Sequence, residues 1–174
     1  MCLLTLERDL IVCASSVDKW LEWRQLATPG KLLWLQEVQV VHPKSEECWQ
    51  TRLWYLRKFH ADCPNVWASE LRFISVICSS YPHAYHPWAH FCWMMEQFPP
   101  SEEFLRGTIL PFLRREAVLS PNHAGPVAIL SQLCNWGISR EETRALLSEV
   151  ISRKKELCDT YCIEVEDAAV LARL

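Results

Sequence analysis

Tryptophan recurs in this chain at a fixed distance and in a fixed setting. The segment His42-Pro43-Lys44-Ser45-Glu46-Glu47-Cys48-Trp49 continues to Trp54, and Tyr81-Pro82-His83-Ala84-Tyr85-His86-Pro87-Trp88 continues to Trp93. Each opens on an aromatic or His ring, then Pro, with a Trp seven positions after the first residue and another five later. Trp49 and Trp88 are 39 residues apart. Self-similarity at such a period marks a repeat fold, and it limits the chain to architectures in which each unit needs its neighbour. A further step of 39 reaches Val127, behind Ser120-Pro121-Asn122-His123, and a step of 41 from there reaches Ala168, behind Tyr161. Backwards, Trp20 follows Cys13 by seven. Two units are well formed, the third is eroded, and the outer ones keep only the spacing.

Each clear unit reads as a helical hairpin. Lys31 to Val41 is a strongly apolar helix that Pro43 stops. Ser45 caps the next helix, with Glu46 and Glu47 in its favourable first turn, and that helix runs to about Phe59 with Trp49, Leu53 and Leu56 on its apolar face. Pro64 stands near the start of a helix carrying Trp67, Leu71, Ile74 and Cys78, and Pro82 marks its end. The partner helix carries Trp88, Cys92 and Met95 and closes at Pro99-Pro100. Ser101-Glu102-Glu103 opens another helix, kinked at Pro111. Trp136-Gly137 marks a helix C-terminus, and Ser139-Arg140-Glu141-Glu142 reads as a capping box before Leu146, Leu147, Val150 and Ile151. Only four glycines are present, and alternating strands and Asn-Gly hairpins are missing, so the expected class is all-α. A lone hairpin cannot bury its apolar face. The expectation is therefore one domain over residues 1–174, a right-handed solenoid of stacked hairpins. Its clear repeats lie at about 30–60 and 64–98, with degenerate ones at about 101–137 and 139–174. The recurring Trp would fill the same core position in each unit.

The pattern Pro-Lys-Ser-x-x-x-Trp-x-x-Arg-x-Trp over Pro43–Trp54 resembles the repeat of protein prenyltransferase alpha subunits, and Tyr81–Trp93 is similar. Asn122-His123-Ala124-Gly125 resembles the Asn/Asp-His-x-Gly element of a later repeat in that family. The likeness spans roughly residues 30 to 136. Arg52 matches the family's repeat arginine; Phe91 holds that place in the second unit, and Val127 and Leu130 stand where Trp and Arg belong in the third.

The resemblance implies a non-catalytic alpha-type subunit, of the geranylgeranyl kind, that wraps a catalytic beta subunit and helps position the acceptor protein. In that family the beta subunit carries the zinc and the lipid cavity, so this chain would need no cofactor of its own. Lys44 matches the Pro-Lys element that in some members approaches the isoprenoid diphosphate, where a cation offsets phosphate charge; a solvated Lys between helices is the plainer alternative. Whichever of Trp34, Trp54, Trp67 and Trp93 are exposed would anchor the partner, since Trp is enriched at binding hot spots. A helical-repeat scaffold without prenyltransferase association is the alternative function, and an independent metalloenzyme a third.

Other constellations point to less. His86 and His90 stand i, i+4 beside His83 and Tyr85, but no third ligand has metal spacing, although Cys92 is near. His90 matches a position that is commonly His in the family repeat, which implies a hydrogen-bonding role. Cys158 and Cys162, also i, i+4, read as helix-face residues, and a Cys/His pair meeting only in space stays open. The nine cysteines, an odd number without a C-x-x-C pair, read as reduced, buried thiols of a cytosolic protein. A net charge of −3 and a pI near 6.1 give no nucleic-acid footprint. Arg57-Lys58 and Arg153-Lys154-Lys155 read as solvated faces. No apolar run is long enough to span a membrane, and Met1 to Val12, with Glu7 and Asp9, does not read as a signal peptide.

Overall fold

The computed structural model describes residues 31–59, 65–119 and 124–161. All of these lie in helices and their connecting turns, with no strand among them. None of the described helices is long and apolar enough to cross a membrane. The chain divides into two compact units, Met1–Phe73 and Ile74–Leu174.

The first unit holds α1 (Lys31–Val41), α2 (Glu46–Phe59) and the start of α3 (Val66–Ser80). Pro43 cannot donate a backbone hydrogen bond, so α1 ends with the His42 N–H on the Val38 carbonyl at 2.8 Å. The Ser45 N–H then closes a turn onto the His42 carbonyl at 3.1 Å. Ser45 Oγ accepts from the Cys48 N–H at 3.3 Å, the N-cap its position predicts. Acidic Glu46 and Glu47 open α2 and basic Arg57 and Lys58 end it, both signs favourable to the helix dipole. Trp34, Leu35, Val38, Cys48 and Tyr55 are buried together, with Leu32, Trp54 and Phe59 packed at their edge.

Helix α2 buries more than an amphipathic stripe allows. Thr51 and Arg52 join Trp49, Tyr55 and Leu56 inside, while Leu53 is only half-buried. Arg52 Nε donates to Glu70 Oε2 at 2.8 Å and its Nη2 to Glu70 Oε1 at 2.6 Å. Nη1 donates to Gln39 Oε1 at 3.1 Å, and the guanidinium carbon sits 4.0 Å from the Phe73 ring centroid. Arg52, Glu70 and Gln39 are all 0% exposed. A charge this deep persists only when paired and hydrogen-bonded.

The second unit holds the rest of α3, then α4 (His86–Gln97), α5 (Leu110–Leu119), α6 (Ala124–Ser131) and α7 (Arg140–Tyr161). Ser101 Oγ caps the approach to α5, accepting from the Phe104 N–H at 3.2 Å. A single α turn, Glu102–Phe104, passes into a π turn, Leu105–Ile109, before α5 begins. The expected kink at Pro111 takes this form: its ring would crowd the carbonyl four residues back, and the wider π turn lies there.

After α6, a 3₁₀ turn over Leu133–Trp136 ends on Gly137 at φ 88°, a left-handed cap that Gly adopts cheaply. The Ile138 N–H reaches back to the Leu133 carbonyl at 3.3 Å. Ser139 Oγ accepts from the Glu142 N–H at 3.2 Å and so caps α7. The reciprocal half of the expected capping box is replaced: the Glu142 carboxylate takes Arg106 Nη1 instead.

The 39-residue step holds inside both units. Helices α1, α3 and α5 end at Val41, Ser80 and Leu119, two steps of 39. The turn after α3 repeats the turn after α1, with the Tyr81 N–H on the Ile77 carbonyl at 2.8 Å and the Ala84 N–H on the Tyr81 carbonyl at 3.0 Å. Leu35, Ile74 and Leu113, one step apart, are each fully buried. In the first unit the Trp49 ring lies 5.8 Å from Phe73 at 43°. In the second, Trp88 lies 6.3 Å from Phe112 at 41°, a pair with the same 24-residue separation. Val127 and Leu130, where a third Trp and Arg would fall, are buried too. The buried polar set is not repeated: one step on from Gln39, Arg52 and Glu70 stand Cys78, Phe91 and Ile109, all buried. Phe91 stacks at 10° on Phe112, as Arg52 lies over Phe73.

Candidate protein-docking surface

The tryptophans divide by burial. Trp34 and Trp67 belong to the core of the first unit, 8% and 6% exposed. Trp54 and Trp93 remain half-buried and occupy the same place one 39-residue step apart. Each meets, edge-on, the Phe five residues later: Trp54–Phe59 at 6.2 Å and Trp93–Phe98 at 5.7 Å. Lys58 Nζ sits 4.7 Å from the Trp54 ring centroid, a cation–π contact that orients the ring while leaving part of it to solvent. Each unit therefore presents one partly open Trp–Phe pair. Open rings held by neighbours bind at low entropic cost, because they lose little freedom when covered.

In the second unit, Trp93 belongs to a groove of about 570 Å³ along α4 and α6. Buried Trp88 lines it, Ile129 and Gln132 stand on the α6 side, and His83, Tyr85, Cys92 and Glu96 add to the wall. Tyr85 is 73% exposed. Small residues on α6, Gly125 and Ala128, keep the groove open. The surface is mainly aromatic and aliphatic, with a few polar groups at its edge, the make-up expected of a binding cleft.

The three histidines do not converge. His83 is exposed, His86 half-buried against Tyr85 at 5.8 Å, and His90 buried and stacked on Trp93 at 6.2 Å. Among the described residues no three His, Cys, Asp or Glu side chains are grouped to hold a metal. Lys44 is exposed in the turn between α1 and α2, and His83 takes the same place one step later. Arg57, Lys58, Arg153 and Lys155 are exposed as expected of solvated faces, but Lys154 is 0% exposed. The side chains of Cys158 and Cys162 lie outside the described residues.

Four described thiols, Cys48, Cys78, Cys92 and Cys134, are free. Burial, with the Glu116 carboxylate nearby, pushes the Cys78 thiol up to about 12, so it supplies almost no thiolate near neutrality. Cys92 is raised by burial and by Glu96 but keeps some surface in the groove. Among these four, alkylation of the native chain at pH 8 with limiting iodoacetamide is expected to mark Cys92 and Cys134 first, then Cys48, and Cys78 last. Peptide mass mapping reads the order, and early labelling of Cys78 contradicts it.

The two Phe partners were readable in the sequence and were missed there. Phe73 and Phe112 lie one step apart, as do Phe59 and Phe98, a recurrence that runs beside the Trp and Pro pattern. Comparison of the chain with protein-family models, with curated proteins and with solved structures finds no significant match.

Proposed function

We propose that this chain is a non-catalytic, alpha-type subunit that docks the catalytic beta subunit of a protein prenyltransferase, of the geranylgeranyl kind, and helps position the acceptor protein. The observation that carries the proposal is the repeated half-open aromatic pair, Trp54–Phe59 and Trp93–Phe98, set one 39-residue step apart. Rigid, partly open aromatic pairs of this kind suit another protein better than a small substrate. The Pro-Lys-Ser-x-x-x-Trp-x-x-Arg-x-Trp element supports the family of the partner, with its arginine buried on Glu70. The beta subunit would supply the zinc and the thiolate chemistry, and binding would stabilise both chains by mass action.

Lys44, exposed after Pro43, is the cation this chain would offer to the isoprenoid diphosphate. In the reconstituted pair, Lys44→Ala is expected to raise KM for the prenyl diphosphate by about tenfold with kcat little changed, the loss of one solvent-screened phosphate contact. An unchanged KM removes Lys44 from the site.

A helical-repeat scaffold without prenyltransferase association is the competing function. The apolar replacement of the Arg52 set by Cys78, Phe91 and Ile109 favours it, because the second unit has left the family pattern. Affinity capture of the tagged chain from cells separates the two. A prenyltransferase beta subunit should come down in near-equal amount and be lost from a Trp54→Ala, Trp93→Ala variant. Its absence from the capture of the unmodified chain sinks the prenyltransferase assignment.

A further inference from the structure

Between α5 and α7, away from the aromatic groove, lies a second hollow of about 450 Å³ whose wall is of a different kind. Arg114, Arg115 and Arg153 line it over a floor that includes Val118, Leu119 and Val150, and Glu149 is the carboxylate of the lining. Arg114 Nη2 donates to both Glu149 oxygens, and Arg153 Nη2 lies 3.2 Å from Glu149 Oε1. Arg115 turns to the buried Glu116, with Nη2 at 2.8 Å from Oε1 and 3.4 Å from Ser75 Oγ. Among the described residues the hollow thus sets three cations against the lining carboxylate of Glu149, with Glu116 held by Arg115 beside it, in a chain whose net charge is −3.

The two glutamates hold the guanidinium planes in place without using up their donors. Arg114 Nε and Nη1, Arg115 Nη1, and Arg153 Nε and Nη1 meet no protein acceptor among the described residues. The arginine side chains are 40%, 55% and 63% exposed, in chain order, so these donors can reach a ligand. Leu119, 67% exposed, puts an aliphatic surface beside them.

We infer that this hollow docks an acidic peptide segment that carries aliphatic side chains. Carboxylates of the peptide would take the outward guanidinium donors, for which the planar fork of arginine is suited, and an aliphatic side chain would cover Leu119 and Val118. Among the described residues no aromatic ring lines the hollow, so they offer no stacking platform of the kind single-stranded nucleic acid uses. A bare phosphate would leave the aliphatic floor uncovered.

The test is fluorescence anisotropy of the full chain with a short fluorescein-labelled peptide of glutamates and leucines. Saturable binding is expected, weakening as salt rises. It should weaken about tenfold in Arg153→Glu and again in Leu119→Asp, since each puts a like charge beside the ligand. Both positions are exposed, and unchanged circular dichroism melting keeps folding out of the comparison. The inference is overturned by an absence of saturable binding, by equal binding of a lysine–leucine peptide, or by indifference to both substitutions. Tighter binding of phosphatidylserine vesicles than of the peptide overturns it as well.

Discussion

Replacing Arg52 with Ala should destabilise the folded chain by about 3–5 kcal/mol, measured as the loss in denaturant-unfolding free energy. The substitution leaves Glu70, 0% exposed, with a buried carboxylate that has lost two hydrogen bonds, and it takes the donor from Gln39 Oε1. The cost comes from leaving a buried carboxylate without its guanidinium rather than from the worth of the pair, because burying both ions was itself expensive. A second variant makes that distinction. Changing Gln39→Cys, Arg52→Phe and Glu70→Ile together installs the residues found one 39-residue step later, Cys78, Phe91 and Ile109. The triple variant should recover most of the stability lost in Arg52→Ala, and can match the unmodified chain. If it is as unstable as Arg52→Ala alone, the two 39-residue segments do not share one packing frame.

Trp49→Ala is expected to cost a similar amount, about 3–5 kcal/mol, by opening a cavity that the surrounding helices fill only in part. Trp49 is 4% exposed, packs on Phe73, and donates its indole N–H to the Pro43 carbonyl at 2.9 Å. That bond ties α2 to the turn that ends α1, so both the ring and the nitrogen contribute. Trp49→Phe, which keeps much of the volume and loses the donor, should fall between. Trp88→Ala should resemble Trp49→Ala, since its ring is equally buried, on Phe91 and Phe112. Trp54→Ala, at a half-buried ring, should cost clearly less. A loss below about 1 kcal/mol at Trp49 would place that ring outside the core.

The helices were legible because local rules agreed along the chain. Pro43 and Pro82 end helices, Ser45, Ser101 and Ser139 cap them, and Gly137 stops one, each for a reason that needs no tertiary contact. The repeat was legible through its rings. Arg52 was visible only through a resemblance to another family's repeat, and nothing local says that Glu70, 18 residues on, will meet it in the core. Nor does periodicity predict that Thr51 and Arg52 are buried while Leu53 is half-open, since that depends on helices packing against α2 from more than one side. Glu142 shows the limit from the other direction: its spacing from Ser139 fits a capping box, and a distant partner, Arg106, claimed its carboxylate. The hollow between α5 and α7 was illegible for the same reason. Arg114 and Arg115 stand far from Arg153 in sequence, and in the string Arg153-Lys154-Lys155 looks like an ordinary wet face.

Sedimentation velocity of the purified chain mixed with a purified geranylgeranyl-transferring beta subunit tests the docking proposal most directly. A single heterodimeric species is expected with the unmodified chain, and two separate boundaries with the Trp54→Ala, Trp93→Ala variant. Independent sedimentation of the two unmodified proteins at tens of micromolar (~10⁻⁵ M, roughly −7 kcal/mol of binding) would contradict it.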